Sequence, residues 1–418
     1  MNRHNKEIIE NTGFKDVPQW LNEKLFQEFL DKDFPNYRTL KKFMAKPAVK
    51  TGENFMTVML RITIELELKN NTKTSHSYMV KIKPIPETLQ FMIKEWKIFV
   101  KEHTTYSKYI AAFQRYYQTA GCNVKLAPRL YDPTKTVIND DVLILEDLRL
   151  KGFTNFNRHL GLDLVHTKAV LQKLAQFHAA SAQHFMKEGP YPTMYSKSLS
   201  SDVDLFENHR IKLNEIFREN LDFYGNFKYM EEKLKIFFET YPDPFQLESD
   251  WKTNKFNVLN HGDCWTNNIM FQYDKSGHLI ETMLIDFQMS RFGTPAQDLY
   301  YFLLSSTNME VKLKYFDYFI YYYHQQLTKC LNLLQYEGTF PSLKEIHIEL
   351  LKHDYWAYLT ISSLMPIILC ESRDDANVDT LLNEDNDELK RSMFANELYI
   401  KNMNMLLPWL DNRGAFDI

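Results

Sequence analysis

The residues most able to do chemistry sit in Asn260-His261-Gly262-Asp263-Cys264-Trp265-Thr266-Asn267-Asn268-Ile269-Met270-Phe271 and, a short distance on, in Met283-Leu284-Ile285-Asp286-Phe287-Gln288. An Asp, an Asn five residues later and a second Asp closing an apolar run suit phosphoryl transfer. One carboxylate orients an attacking hydroxyl, and two oxygen ligands hold hard Mg²⁺ ions on the phosphates. Asp263 is then the base candidate, with Asn268 and Asp286 as the metal ligands. The segment between Asp263 and Asn268 must turn back on itself, so that the carboxylate faces the acceptor and the amide oxygen faces the metal. An isolated Asp and Asn at this spacing usually reflect turn chemistry alone. The pattern gains meaning from what precedes it.

Upstream, Lys81 lies on a strand from which an ammonium can reach nucleotide phosphates, and Glu95 on the following helix is the predicted ion-pair partner. Glu102, further along the same charged helix, competes for that role. Thr51-Gly52-Glu53-Asn54-Phe55-Met56-Thr57 precedes a long strand where a phosphate-covering loop would lie, although its glycine content is low. Leu143-Ile144-Leu145-Glu146-Asp147-Leu148 ends a strand and would form a hinge, its backbone groups meeting an adenine edge.

Elements able to position these groups are legible in the hydrophobic periods. Trp20, Leu21, Leu25, Phe26, Phe29 and Leu30 recur at a helical spacing, whereas Val58 to Leu68 alternates strictly as a half-buried strand. The polar turn Lys69 to Thr74 and the strand Tyr78 to Ile82 complete an antiparallel hairpin, followed by a helix from Pro86 to about residue 102. Further strands are predicted near Leu126 to Leu130 and Val142 to Leu145. After Asp147 long helical patterns dominate, at Leu162 to Met186, Ser201 to Phe223, Asp298 to Leu334 and Ser342 to Leu369, with one hairpin around residues 269 to 285. The predicted fold class is α+β, with a small antiparallel sheet holding one internal helix ahead of a large, mainly helical part.

In order, Gly52-Glu53-Asn54, Lys81, Glu95, Leu145-Glu146-Asp147-Leu148, Leu174-Ala175-Gln176-Phe177-His178-Ala179, the His261 to Phe271 block and Ile285-Asp286-Phe287-Gln288 with Asp298-Leu299 resemble the ecdysteroid kinase-like family of insects. That family lies in the choline kinase and aminoglycoside phosphotransferase branch of the protein-kinase-like fold. The resemblance implies a bilobal enzyme, with an N-terminal lobe over residues 1–147 and a C-terminal lobe over 148–418. It also implies ATP and Mg²⁺ as cofactors, Asp263 as catalytic base, and Asn268 and Asp286 as metal ligands. Lys81, Glu95, Gly52 and Asn54 would serve the phosphates, and the backbone of Glu146 and Leu148 would hold adenine. Its acceptors would be hydroxylated small molecules, steroid or xenobiotic alcohols; a choline-type polar alcohol or a silent steroid-binding role are the alternatives. His261-Gly262-Asp263 stands where protein kinases have His-Arg-Asp, Asp286-Phe287-Gln288 where they have Asp-Phe-Gly, and no Ala-Pro-Glu segment follows. These departures argue against a protein substrate.

Composition agrees with a globular enzyme. Lys and Arg total 50 against 54 Asp and Glu, which speaks against binding to nucleic acid through charge. Four scattered cysteines, Cys122, Cys264, Cys330 and Cys370, show no metal-ligand spacing and fit a reducing, cytoplasmic setting. The apolar run Ala357 to Cys370 is too short to span a bilayer and the stretch Met1 to Glu7 is polar, so neither a membrane span nor a secretory signal is expected, and the chain is expected to be a monomer. Cys264, His178 and His261 are read as packing residues. The aromatic stripe Tyr315, Tyr318, Phe319, Tyr322 is read as core.

Overall fold

The computed structural model describes residues 18, 20–48, 57–84, 87–132, 142–196, 203–241, 251–371, 380–381 and 387–418. Helix α1 (Glu23–Asp33) is capped by Asn22, whose side chain accepts from the Lys24 amide, and it buries Leu25, Phe26, Phe29 and Leu30. Against that face lies a sheet built from β1 (Tyr37–Pro47), β2 (Val58–Leu68) and β3 (Lys73–Ile82). In β2 the alternating residues Leu60, Ile62, Ile64 and Leu66 are fully buried, as the period of two requires. Helix α2 (Glu87–Glu95) and helix α3 (Ile98–Thr104) follow, and α3 runs through a π-helical turn at Thr105–Ile110 into α4 (Ala111–Thr119). Strands β4 (Leu130–Tyr131) and β5 (Val142–Glu146) complete an antiparallel sheet in the order β1-β2-β3-β5-β4.

The structure departs from the sequence reading in three places here. β1 was not anticipated; it is an edge strand with only Phe43 buried, so it lacks the alternation that marks β2. The strand predicted near Leu126 to Leu130 reduces to β4. The single helix predicted through residue 102 is two, because Lys97 takes the left-handed conformation at φ 52° and reorients everything after it.

The rest of the described chain is mainly helical. After β6 (Phe153–Asn155) comes α5 (Leu164–Glu188), capped by Asp163 and buried along most of its length. Then α6 (Val203–Glu219), α7 (Leu221–Gly225) and α8 (Glu231–Thr240) precede a short strand β7 (Val258–Asn260). The hairpin β8 (Ile269–Tyr273) and β9 (Leu279–Leu284) pairs with β6, while β10 (Arg291–Gly293) pairs with β7. Helix α9 (Ala296–Ser306) is buried at every residue, and α10 (Met309–Lys312), α11 (Phe316–Leu333) and α12 (Leu343–Lys352) pack around it and α5. The predicted run Asp298 to Leu334 is thus three helices. Beyond α13 (Tyr355–Leu359) and a π-helical turn at Thr360–Leu364, the helices Glu388–Phe394 and Glu397–Asp411 close the chain. This is the α+β, kinase-like bilobal architecture: antiparallel sheet first, helices after.

Two apolar cores divide the labour. One joins α1 to the outer face of the five-stranded sheet. The other runs from α3 and α4 through α5, β7 and α9 to the C-terminal helices. α3 therefore packs with the helical part while reaching β3, which lets a side chain on α3 connect the two. Among the described residues no helix is long and apolar enough to cross a membrane.

Candidate active site

Lys81 lies near the end of β3, opposite Met59 on β2 and Leu143 on β5, and its ammonium is almost wholly buried. A buried ammonium must be paired. Its Nζ donates to Glu102 Oε2 at 2.6 Å, to Asp286 Oδ1 at 2.8 Å and to Gln288 Oε1 at 3.0 Å. Burial by itself would lower the Lys81 pKa, but the carboxylates of Asp286 and Glu102 outweigh it and hold the pKa above the ordinary lysine value. Burial pushes Glu102 upward, Lys81 draws it down and Asp286 pushes again; the net shift is upward.

Glu95, the predicted partner of Lys81, is not in this group. It ends α2 half-buried and pairs with no cation among the described residues. The left-handed turn at Lys97 separates it from Glu102, which α3 directs into the core beside Lys81. Gly52 and Asn54 lie outside the described residues.

Asp286 closes the segment after β9 with φ 67°, a conformation that costs a non-glycine residue free energy and marks positions held for a purpose. Its backbone amide donates to the Tyr106 hydroxyl at 3.3 Å. Next to it, Phe287 is fully buried among Tyr106, Phe177 and His261 at ring separations of 5.2, 5.5 and 4.6 Å. That packing fixes the backbone on which Asp286 and Gln288 stand.

Asp263 is held at both oxygens. The Tyr301 hydroxyl donates to Oδ1 at 2.6 Å, and Asn268 Nδ2 donates to Oδ2 at 2.8 Å and to the Asp263 carbonyl at 3.0 Å. Burial, with the charge of Asp286, pushes its pKa up to about 6, against the hydrogen bonds from Tyr301 and Asn268 and the pull of Lys81. A carboxylate of that basicity is matched to accepting a proton near neutral pH. Because the Asn268 nitrogen is committed to Asp263, its Oδ1 is the atom left for a cation.

Asp298, on the first turn of α9, explains why the segment folds this way. It is fully buried and accepts the His261 amide at 2.6 Å and the Gly262 amide at 2.9 Å. His178 Nε2–H donates to the same carboxylate at 3.0 Å, while its Nδ1 accepts from the Tyr323 hydroxyl at 2.7 Å. His261 Nε2–H donates to the Ile285 carbonyl at 2.9 Å, and its Nδ1 accepts from the Asp263 amide at 3.3 Å. Burial lowers its pKa against Asp298 and Asp286, so the ring stays neutral and structural. Ser306, at the far end of α9, accepts the Thr266 amide at 3.1 Å. α9 thus holds His261, Gly262, Asp263 and Thr266. Cys264 is buried and its thiol is pushed far up by burial, as befits a packing residue.

Gly262 is dictated by the same crowding. At φ 82° a Cβ would sit 2.0 Å from the Met289 carbonyl oxygen, so no side chain fits where protein kinases carry arginine.

The predicted hinge segment is anchored by Asp147, which accepts Arg61 Nε at 2.7 Å and the Ser77 hydroxyl at 2.6 Å from β2 and β3. The Glu146 amide is spent on the Arg129 carbonyl at 2.9 Å. The Leu148 N–H, at the first residue of the turn Leu148–Lys151, donates to no group among the described residues. Below it Leu148, Phe153, Met270 and Met283 form a separate apolar cluster with Ile285 at its border. An unpaired hinge donor over an apolar bed suits a flat heteroaromatic ring.

The oxygen donors fit a hard divalent cation that keeps water and phosphate as its other ligands: one carboxylate, Asp286, and one amide oxygen, Asn268. Among the described residues no group of three or more His, Cys, Asp or Glu that could hold a metal ion occurs. A small aromatic cleft lined by Arg210, Phe237, Tyr241, Tyr355 and Tyr358 lies elsewhere and includes none of these groups.

Sequence reasoning missed Glu102 as the partner of Lys81, together with Tyr301 and Ser306. Tyr301 carries a faint signal, one helical turn after Asp298, but a tyrosine in the run Leu299-Tyr300-Tyr301-Phe302-Leu303-Leu304 reads as core.

The chain belongs to the ecdysteroid kinase-like family: that family's model matches residues 51–336, and its members are kinase-like phosphotransferases. No curated protein matches the chain.

Proposed function

We propose that this member of the ecdysteroid kinase-like family transfers the γ-phosphoryl group of ATP to a hydroxyl of an apolar alcohol such as an ecdysteroid or a xenobiotic. The observation that carries the reading is Lys81, whose ammonium meets Glu102 and Asp286 within 3 Å and so ties β3, α3 and the segment after β9 into one charged centre. Two carboxylates around one buried ammonium exceed what neutrality needs, which leaves Asp286 a charge to share.

In this reading residues 1–147 cover the nucleotide and residues 148–418 carry the chemistry. The backbone of Glu146 and Leu148 binds the adenine edge. Lys81 holds the α- and β-phosphates, and Glu102 keeps it pointed there. Asn268 and Asp286 hold Mg²⁺, which when bound neutralises charge on the phosphates. Asp263 orients the acceptor hydroxyl and takes its proton as the new O–P bond forms. The neutral His261 supports the loop without exchanging a proton.

The test is a panel of hydroxylated steroids, plant alcohols and choline, each incubated with Mg²⁺-ATP and read by mass for one added phosphoryl group. An apolar alcohol should gain the phosphoryl group and choline should not. Phosphorylation of choline alone would replace the acceptor class. A protein whose melting temperature is unmoved by Mg²⁺-ATP would instead be a binder that has lost the chemistry.

A further inference from the structure

Helix α9 offers the loop three polar side chains: Asp298 and Ser306 take backbone amides, but Tyr301 alone reaches a side chain, Asp263. The Asp263 carboxylate is therefore gripped from two directions, by Tyr301 on α9 and by Asn268 on its own segment. Rotation of the carboxylate about its Cβ–Cγ bond would break both bonds together. An ionised carboxylate has about four lone-pair sites, so these two donors leave each oxygen able to accept again, in a fixed direction. Burial raises the Tyr301 pKa well above the ordinary tyrosine value, so its hydroxyl remains a donor. Phenylalanine would serve equally well if this position were needed only for packing.

We propose that Tyr301 is a positioning residue for phosphoryl transfer, its hydroxyl fixing the Asp263 carboxylate so that the free lone pairs face the acceptor. The proposal rests on the reading of Asp263 as the base. In the step itself the acceptor O–H proton passes to Asp263, the acceptor oxygen bonds to the γ-phosphorus, and the bond to the bridging oxygen breaks with its electron pair leaving on ADP. Tyr301 keeps its proton throughout.

The test compares the full chain with Tyr301→Phe, Asp263→Asn and the double variant, following ATP turnover with water and with an ecdysteroid as acceptor, and Mg²⁺-ATP affinity separately. Tyr301→Phe should lower kcat about tenfold, the worth of one hydrogen bond to a charged group, with nucleotide affinity unchanged. The double variant should be no slower than Asp263→Asn, because Tyr301 acts through that carboxylate. A slow Asp263→Asn beside a Tyr301→Phe of normal kcat overturns the positioning role alone, as do defects that multiply. A normal Asp263→Asn overturns the base reading and the proposal with it. Urea midpoints of wild type, Tyr301→Phe, Asp263→Ala and their double variant need no acceptor: they should be non-additive, because Asp263→Ala leaves the Tyr301 hydroxyl no carboxylate to donate to, and additive midpoints would also overturn it.

Discussion

Lys81 and Glu102 meet at 2.6 Å with both side chains buried, joining a strand of the five-stranded sheet to a helix that packs in the other core. Removing one partner of such a pair leaves a buried charge short of its counter-ion. Glu102→Gln should therefore lower kcat/KM for ATP on the order of tenfold or more, whereas Glu95→Gln should leave it near wild type. Steady-state kinetics on both variants decides the matter; a defect confined to Glu95→Gln would reverse the assignment.

Asp286 is the next case. Asp286→Ala removes the carboxylate proposed to join metal and phosphates, and it also frees one bond of Lys81. The Mg²⁺-dependent part of ATP affinity should fall about tenfold or more, and EDTA should bring wild type close to the variant. Calorimetric titration with and without Mg²⁺ checks this, and an unaltered metal dependence in a folded variant would exclude Asp286 as a ligand.

For Gly262 the prediction is structural. Gly262→Ala places a methyl group against the Met289 carbonyl and strains a left-handed backbone, so the urea midpoint should drop by the equivalent of roughly 2–4 kcal/mol. A variant as stable as wild type would show that the loop can shift away from Met289 at little cost.

Lys312 supplies the pH dependence. It is buried in α10 with no acidic partner among the described residues, donating to the Leu304 carbonyl and to Asn402 Oδ1, and burial lowers its pKa to about 7. The unfolded lysine keeps its proton up to its ordinary pKa near 10.5, so between about 7 and that value the unfolded state binds more protons and stability rises with pH. Relative to Lys312→Met, wild type should gain a few kcal/mol between pH 7 and pH 10. Urea unfolding of both proteins across that range measures it, and a constant difference would mean the amine stays charged when folded.

How much of this was readable beforehand follows from how local each signal is. Asp263, Asn268 and Asp286 belong to two short segments, so type and spacing mark them as candidates, whereas the groups that hold them in place, Asp298 and Tyr301 on α9 and Tyr106 and Phe177 around Phe287, lie far off in sequence. Glu102 depended on the left-handed Lys97, and a lysine, unlike a glycine, gives no warning of that conformation; the apolar spacing runs on unbroken across it. β1 was hidden because an edge strand with one buried side chain has no alternation to detect. Tyr301 was hidden because its hydroxyl acts from a helix buried at every position, where composition speaks only of packing.

Phosphoryl transfer in the proposed site turns on Asp263 accepting the proton of the acceptor. Asp263→Asn keeps the shape and one acceptor oxygen for the Tyr301 hydroxyl, but loses the negative charge. Single-turnover transfer from Mg²⁺-ATP to the best alcohol of the panel, measured beside nucleotide affinity, separates a loss of the chemical step from a loss of nucleotide binding. The rate should fall about 10²-fold or more with ATP affinity nearly unchanged. Transfer by Asp263→Asn at close to the wild-type rate would contradict it.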